Sequence, residues 1–208
     1  MARHIGPVCK QCRRENMKLF LKGERCYTDK CSFDRRPYPP GVHGQRRSKV
    51  TEYGVRLREK QKVRRLYGLL ERQYRRYFDM AERGKGVTGE QLLSNLERRL
   101  DSVCYRMGIA ATRADARQLV RHRHIEVNGR VVDVPSFLVR AGDRVAVREK
   151  SRELARIQVA LAVADRREQP EWVEFDRDGL TANIRALPDR QSITLPVEEQ
   201  LIVEFYSR

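Results

Sequence analysis

The stretch TRADARQLVRHRHIEVNGRVVDV, Thr112 to Val134, decides the fold of the chain's second half. A helix opens at Thr112, because Thr112 and Asp115 set a hydroxyl three residues before a carboxylate, an approximate capping box for the N–H groups that a helix start leaves unpaired. Arg113, Arg117 and Arg121 follow at i, i+4 and i+8, with Ala116, Leu119 and Val120 on the other side. The spacing predicts a helix with a cationic stripe and an apolar stripe. His124–Asn128 and Arg130–Val134 then flank Asn128-Gly129, the dipeptide best suited to the two positive φ angles of a tight hairpin. Such a unit could present guanidinium groups to a phosphate backbone. The plain alternative is a solvated face, but surface helices usually interleave acids with bases, and only Asp115 interrupts here.

The whole chain leans the same way. Its 208 residues hold 44 Lys+Arg against 28 Asp+Glu, a formal net charge of +16, and the pI is about 10.1. The excess is uneven: residues 1–86 hold 24 bases and 9 acids, residues 98–150 hold 12 and 6, and residues 151–208 hold 8 and 11. A polyanion-facing front and a C-terminal part suited to solvent or another protein are expected. No run of about 18 apolar residues occurs and the N-terminus lacks the apolar segment of a signal peptide, so a soluble intracellular protein without membrane contact is expected.

Four of five cysteines, Cys9, Cys12, Cys26 and Cys31, form the pattern C-x2-C-x13-C-x4-C. In a basic intracellular chain a Cys-x-x-Cys followed by a second close pair points to a tetrahedral metal site before disulfides. One zinc ion is expected, with an iron–sulfur cluster as the alternative, since both accept four thiolates. Residues 1–45 have few apolar anchors and need such a staple. Cys104 shares helical spacing with Leu96, Leu100, Val103 and Met107 and reads as core.

Further along, DRRPYPPGVHGQRRSKV, residues 34–50, combines three prolines, two glycines and five bases, so an extended basic linker is expected. Residues 52 to about 83 read as a helix in two pieces broken near Gly68, with Leu66, Leu70, Tyr74 and Tyr77 or Phe78 inward and Arg58, Lys62, Arg65, Arg72, Arg75 and Arg76 outward. A helix from Thr88 is expected to run unbroken to Met107 and stop at Gly108. After the hairpin come a strand at Arg144–Arg148, a helix from about Ser151 to Ala164, strands at Glu171–Phe175 and Thr181–Leu187, and a last helix starting at Pro196.

At this point the residues resemble a family. LERRLDSVCYRMGIAATRADARQLVRHRHIEVNGRVVDVPSFLV is similar to the S-four RNA-binding domain. The cysteine arm, RRPYPPGVHGQRR, RLREKQKVRRLYG and LPVEEQLIVEFYSR extend the resemblance over essentially the full length, to the bacterial small-subunit ribosomal protein S-four family in its four-cysteine form. The resemblance implies an α+β protein with three parts: residues 1–45 as a zinc-bound cysteine-rich arm and basic linker, residues 46–87 as a small helical domain completed by 189–208, and residues 88–188 as an S-four-type RNA-binding domain of helices packed on a small, mostly antiparallel sheet.

It also implies a ribosome-bound, cytoplasmic, non-enzymatic protein that is a primary binder of small-subunit rRNA. Such a protein nucleates assembly of the subunit body, contacts ribosomal protein S-five, lies near the path by which mRNA enters and influences translational accuracy. Cys9, Cys12, Cys26 and Cys31 would be metal ligands. RNA contacts would come from Arg3, Lys10, Arg13, Arg14 and Lys22 of the arm, from Arg35, Arg36, Tyr38, His43, Gln45, Arg46 and Arg47 of the linker, from Arg58, Lys62, Arg65, Arg72 and Arg76, and from Arg113, Arg117, Arg121, His122 and Asn128. Glu198, Glu199 and Glu204 of the acidic end would face a protein.

The rival of another class is an RNA-modifying enzyme carrying the same RNA-binding domain, because Arg99-Leu100-Asp101 imitates the motif around a pseudouridine synthase aspartate. No conjunction of nucleophile, base and orienting group is visible in the sequence, and a separate catalytic domain is not expected in a chain this short. A stand-alone RNA chaperone or repressor shares the electrostatics and differs only in not joining ribosomal subunits.

Overall fold

The computed structural model describes residues 3–46, 49–164 and 169–207. The chain divides into two compact units, one of residues 1–92 with 195–208 and the other of residues 93–194.

In the first unit, α1 (Cys9–Glu15) ends at Asn16 in the left-handed conformation, and a 3-10 turn (Gly23–Tyr27) and the short α2 (Ser32–Arg35) follow. Few apolar groups close this arm, with Leu19, Cys12, Cys26 and Cys31 its buried members. The expected linker overlaps α2 at Asp34 and Arg35, and beyond Arg35 its described part has no helix or strand. The expected break near Gly68 separates α3 (Glu52–Leu66) from α4 (Glu71–Glu82), and Gly68 sits at φ +65°, where an L side chain is strained. Inside are Val63, Tyr67, Leu69, Tyr74, Tyr77, Phe78 and Ala81, whereas Leu70 is exposed and Leu66 only half-buried. The C-terminal α9 (Glu199–Tyr206) packs on α3. It starts three residues after Pro196, with Glu198 as its cap position.

The run Thr88–Met107 is two helices, not one. α5 (Thr88–Glu97) stops before Arg99, which is extended (φ −63°, ψ 137°), and α6 (Leu100–Arg106) begins beyond it. The apolar period continues through the break, which is why periodicity alone joins them. Strand-like hydrogen bonds end α5: Val139 N–H donates to Arg98 O, and Leu100 N–H donates to Phe137 O. Gly108 follows the cap at φ +86°, as expected of a C′ glycine.

α7 (Arg113–Arg121) opens as expected, with Thr112 Oγ1 accepting from Asp115 N–H at 3.1 Å. Thr112→Ala should cost about 1 kcal/mol of stability, read as a lowered thermal midpoint. Asn128 (φ +51°) and Gly129 (φ +76°) turn the hairpin between β1 (Ile125–Val127) and β2 (Arg130–Val131), shorter strands than expected. With β3 (Arg144–Val147), β4 (Val173–Asp176) and β5 (Thr181–Ile184) they form an antiparallel sheet in the order β2-β1-β3-β5-β4. A 3-10 turn (Glu149–Ser151) precedes α8 (Ala155–Ala164). The core joins one sheet face to α6, α7 and α8 through Val103, Leu119, Ile125, Val145, Ile157 and Ala182, with Cys104 fully buried as expected. The unit is α+β.

Candidate nucleic-acid interface and cysteine centre

Arginines at i, i+4 and i+8 do not lie on one line. At 3.6 residues per turn each four-residue step drifts by about 40°, so the row winds around the helix. Its upper part turns against α6. Arg117 is 8% exposed and its Nη1 is 3.4 Å from Asp101 Oδ2. Arg113 donates to Glu97 Oε1 at 3.1 Å and lies 4.6 Å over the Tyr105 ring. Arg121 alone of the three is exposed, its Nη1 donating to Asp133 O at 3.4 Å. The expectation of three guanidiniums on one presented stripe is thereby corrected: two of the three hold the domain together. Glu97, also buried, accepts Arg106 at 2.9 and 2.7 Å.

Arg99 and Asp101, the pair that imitates an enzyme motif, form a buried bidentate ion pair at 3.0 and 2.6 Å. Asp101 stands in the first turn of α6, not mid-helix, and its carboxylate is committed to Arg99, Arg117 and the N–H of Ser102. That is a structural role. His122 is exposed at the end of α7. Asn128 is exposed too, yet its side chain ties the hairpin to β3, donating to Asp143 at 2.9 Å and accepting from Arg144 N–H at 2.8 Å.

In the first unit Arg3, Lys10, Arg14, Lys22, Arg35, Arg36, His43, Gln45, Arg46, Arg72 and Arg76 are exposed, and Arg47 lies outside the described residues. Arg13 instead clamps the linker to α1: Nε donates to Tyr38 O at 2.9 Å, and the guanidinium sits 4.9 Å over the Tyr38 ring. Tyr38 is half-buried by that contact. Arg58 and Arg65, expected outward, both reach Glu15 of α1, Arg58 at 3.2 Å. Burial pushes the Glu15 carboxyl up, while Arg65 and Arg58 pull it back. Lys62 pairs with Glu59 at 2.6 Å.

At the acidic end, Glu204 is 2.7 Å from Arg56 of α3. The Glu199 side chain lies against Gly89, where an added Cβ would meet it at 2.7 Å. Glu198 is exposed, and its N–H donates to Glu59 at 2.9 Å.

Cys9, Cys12, Cys26 and Cys31 line one cavity of about 20 Å³. Burial, and then the other sulfurs, push the Cys12 thiol up, and burial likewise raises Cys26. Lys22 N–H donates to Cys26 Sγ at 3.4 Å, a contact that suits a thiolate. Among the described residues no group of three or more His, Cys, Asp or Glu is so placed that it could hold a metal ion as it stands. No helix among them is long and apolar enough to cross a membrane.

Family models describe the same two regions. Residues 3–97 match the ribosomal protein S4/S9 N-terminal domain, and residues 98–145 match the S4 domain. The chain is 62% identical to the small ribosomal subunit protein uS4 of Trichlorobacter lovleyi, 62% to uS4A of Symbiobacterium thermophilum and 60% to uS4 of Geobacter sulfurreducens, in each case over 100% of both chains. Identity at that level across the whole length, with the two family models matching residues 3–97 and 98–145, shows that the chain belongs to the uS4 family of small ribosomal subunit proteins.

Proposed function

We propose that the chain is a structural, non-enzymatic component of the small ribosomal subunit, ribosome-bound in the cytoplasm, that binds small-subunit rRNA and nucleates assembly of the subunit body. The carrying observation is end-to-end similarity to proteins named for that subunit. The charge distribution supports it physically. Exposed bases of the arm, the linker and α4 belong to the strongly basic residues 1–86, and Arg121 adds another in the second unit. Cations on several elements neutralise phosphates of several RNA helices together and so fix a junction between them. Recognition is then of shape and backbone.

Exposed Arg72 and Arg76 are the contacts to test. Each alanine variant should flatten the plot of log affinity against log salt by about 0.7–0.9, because one fewer counterion is released. Arg117→Ala should leave that slope near the parent's while lowering stability, since the side chain is buried. Filter binding to small-subunit rRNA and co-sedimentation with subunits are the measurements. Retained RNA binding without co-sedimentation would favour a free chaperone or repressor.

The cysteines would hold one zinc ion. The support is the chemistry of the donors and not their present spacing: four sulfurs line one cavity, three of them buried, with a backbone N–H on Cys26. An iron–sulfur cluster is the alternative, since four thiolates hold either group. Zinc would cross-link α1, the 3-10 turn and the start of α2. Contact with ribosomal protein S-five would use this acidic end, where Glu198 is exposed, the Glu199 methylenes pack on Gly89 and Glu204 pairs with Arg56. Proximity to mRNA and an influence on decoding accuracy complete this reading.

A further inference from the structure

Between α1 and the 3-10 turn of the arm, the chain is pinned to buried sulfur on both sides of Phe20. Leu19 is buried and its N–H bonds the Cys12 sulfur, and Lys22 N–H donates to Cys26 Sγ at 3.4 Å. Phe20 is held between them at φ +51°. For a bulky side chain that backbone conformation is strained, whereas glycine adopts it freely. Strain of this kind persists where the surroundings fix it, and it gathers at functional positions. The ring is not packed inside. Phe20 is 37% exposed and Tyr27 57%, and the two stack with centroids 4.9 Å apart and planes inclined by 27°. The exposed cations Lys22 and Arg25 stand between them in the chain. Residues 18–36 hold six bases against three acids, and one of those acids, Asp34, is taken by Lys18 at 2.6 Å.

Stacked rings held at the surface among cations have the chemistry of a base-stacking platform, because every base has a π-face and carries phosphate beside it. A protein partner fits less well. Stable protein interfaces cover about 800 Å² on each partner around an apolar centre. Within residues 17–33 the exposed large hydrophobic side chains are Phe20 and Tyr27 alone, with charged residues between them. Duplex RNA hides its base faces, so the ligand must be an unpaired residue. We propose that one unpaired nucleotide of small-subunit rRNA extends the Phe20–Tyr27 stack, with its phosphates toward Lys22 and Arg25. The proposal rests on the chain being an rRNA binder, and it adds a base-stacking site to recognition that otherwise reads the backbone.

The backbone strain at Phe20 supplies a test that separates binding from folding, run on the full-length chain with small-subunit rRNA. Phe20→Gly removes the ring but relaxes the positive φ, so amide exchange in the arm should be no faster than in the parent. Its RNA affinity should nevertheless fall about five- to 150-fold, the range for losing one base–aromatic stack. Phe20→Leu keeps apolar bulk without a ring face and should lose affinity in the same range, whereas Phe20→Trp should retain it. The salt slope should stay unchanged in all three, because stacking releases no counterions. Ultraviolet cross-linking of the parent, read by mass spectrometry, should place a nucleotide on Phe20 or Tyr27. Affinity within twofold of the parent for Phe20→Leu, with no nucleotide on either ring, would overturn the site while leaving rRNA binding intact. Cross-links from these rings to a protein in assembled subunits, in place of RNA, would also overturn it. Failure of the parent chain to bind small-subunit rRNA would overturn the broader reading with it.

Discussion

Asp101→Ala should lower the unfolding free energy of the second unit by about 3–5 kcal/mol, the cost of removing one partner from a buried ion pair. Arg99 is fully buried and its guanidinium meets Asp101 through Nε at 3.0 Å and Nη2 at 2.6 Å, while Arg117 adds a contact at 3.4 Å. Deleting the carboxylate leaves two positive charges in the interior without the negative charge that offsets their desolvation. Arg117→Ala should cost less, about 1–3 kcal/mol, because Arg99 keeps Asp101. The readout is built in. Trp172 is the chain's one tryptophan, 4% exposed and part of the second unit's core, so its fluorescence during urea unfolding follows this unit. A loss below about 1 kcal/mol for Asp101→Ala would mean that water reaches the cluster and that the pair is not a keystone of α6.

The same cluster shows where sequence reading reached and where it stopped. Features that depend on neighbours in the chain were legible. Thr112 caps α7, Asn128-Gly129 turns the hairpin, Gly68 breaks the helical pair and Gly108 ends α6, because each follows from local backbone energetics. Which face of α7 is wet was not legible. Arg113 and Arg117 look like surface residues until their acids are located, and those acids, Glu97 and Asp101, lie sixteen residues away on α5 and α6. Arg58 and Arg65 failed for the same reason, since their partner Glu15 belongs to the arm. Period-based reading also joined α5 to α6, because leucines continue through a break that only the hydrogen bonds of residues 137–139 reveal. Composition overcounts interface residues wherever arginine serves as an interior strut.

Cys26→Ser should free the metal and melt the arm while leaving most of the chain folded. Three of the four thiols are buried and all four line one small cavity, so little besides their mutual linkage closes residues 3–46. Zinc can contribute about 10–16 kcal/mol of apparent free energy in small modules of this kind. A serine hydroxyl is a poor substitute for thiolate, so the variant should lose its zinc and with it most of that contribution. Amide exchange should accelerate through α1, the 3-10 turn and α2, and α1 should release Glu15 from Arg58 and Arg65. Protection should persist in the rest of α3, because α9 and α4 hold it independently: Arg56 pairs with Glu204, and Lys60 is buried between Glu71 and the Phe205 ring. The Trp172 transition should not move, since the arm belongs to the other unit. Metal analysis of the parent should find about one zinc per chain, and of the variant almost none. A parent purified without metal yet fully protected in its arm would show that Leu19 and the Glu15 ion pairs suffice, and would end the case for a zinc staple.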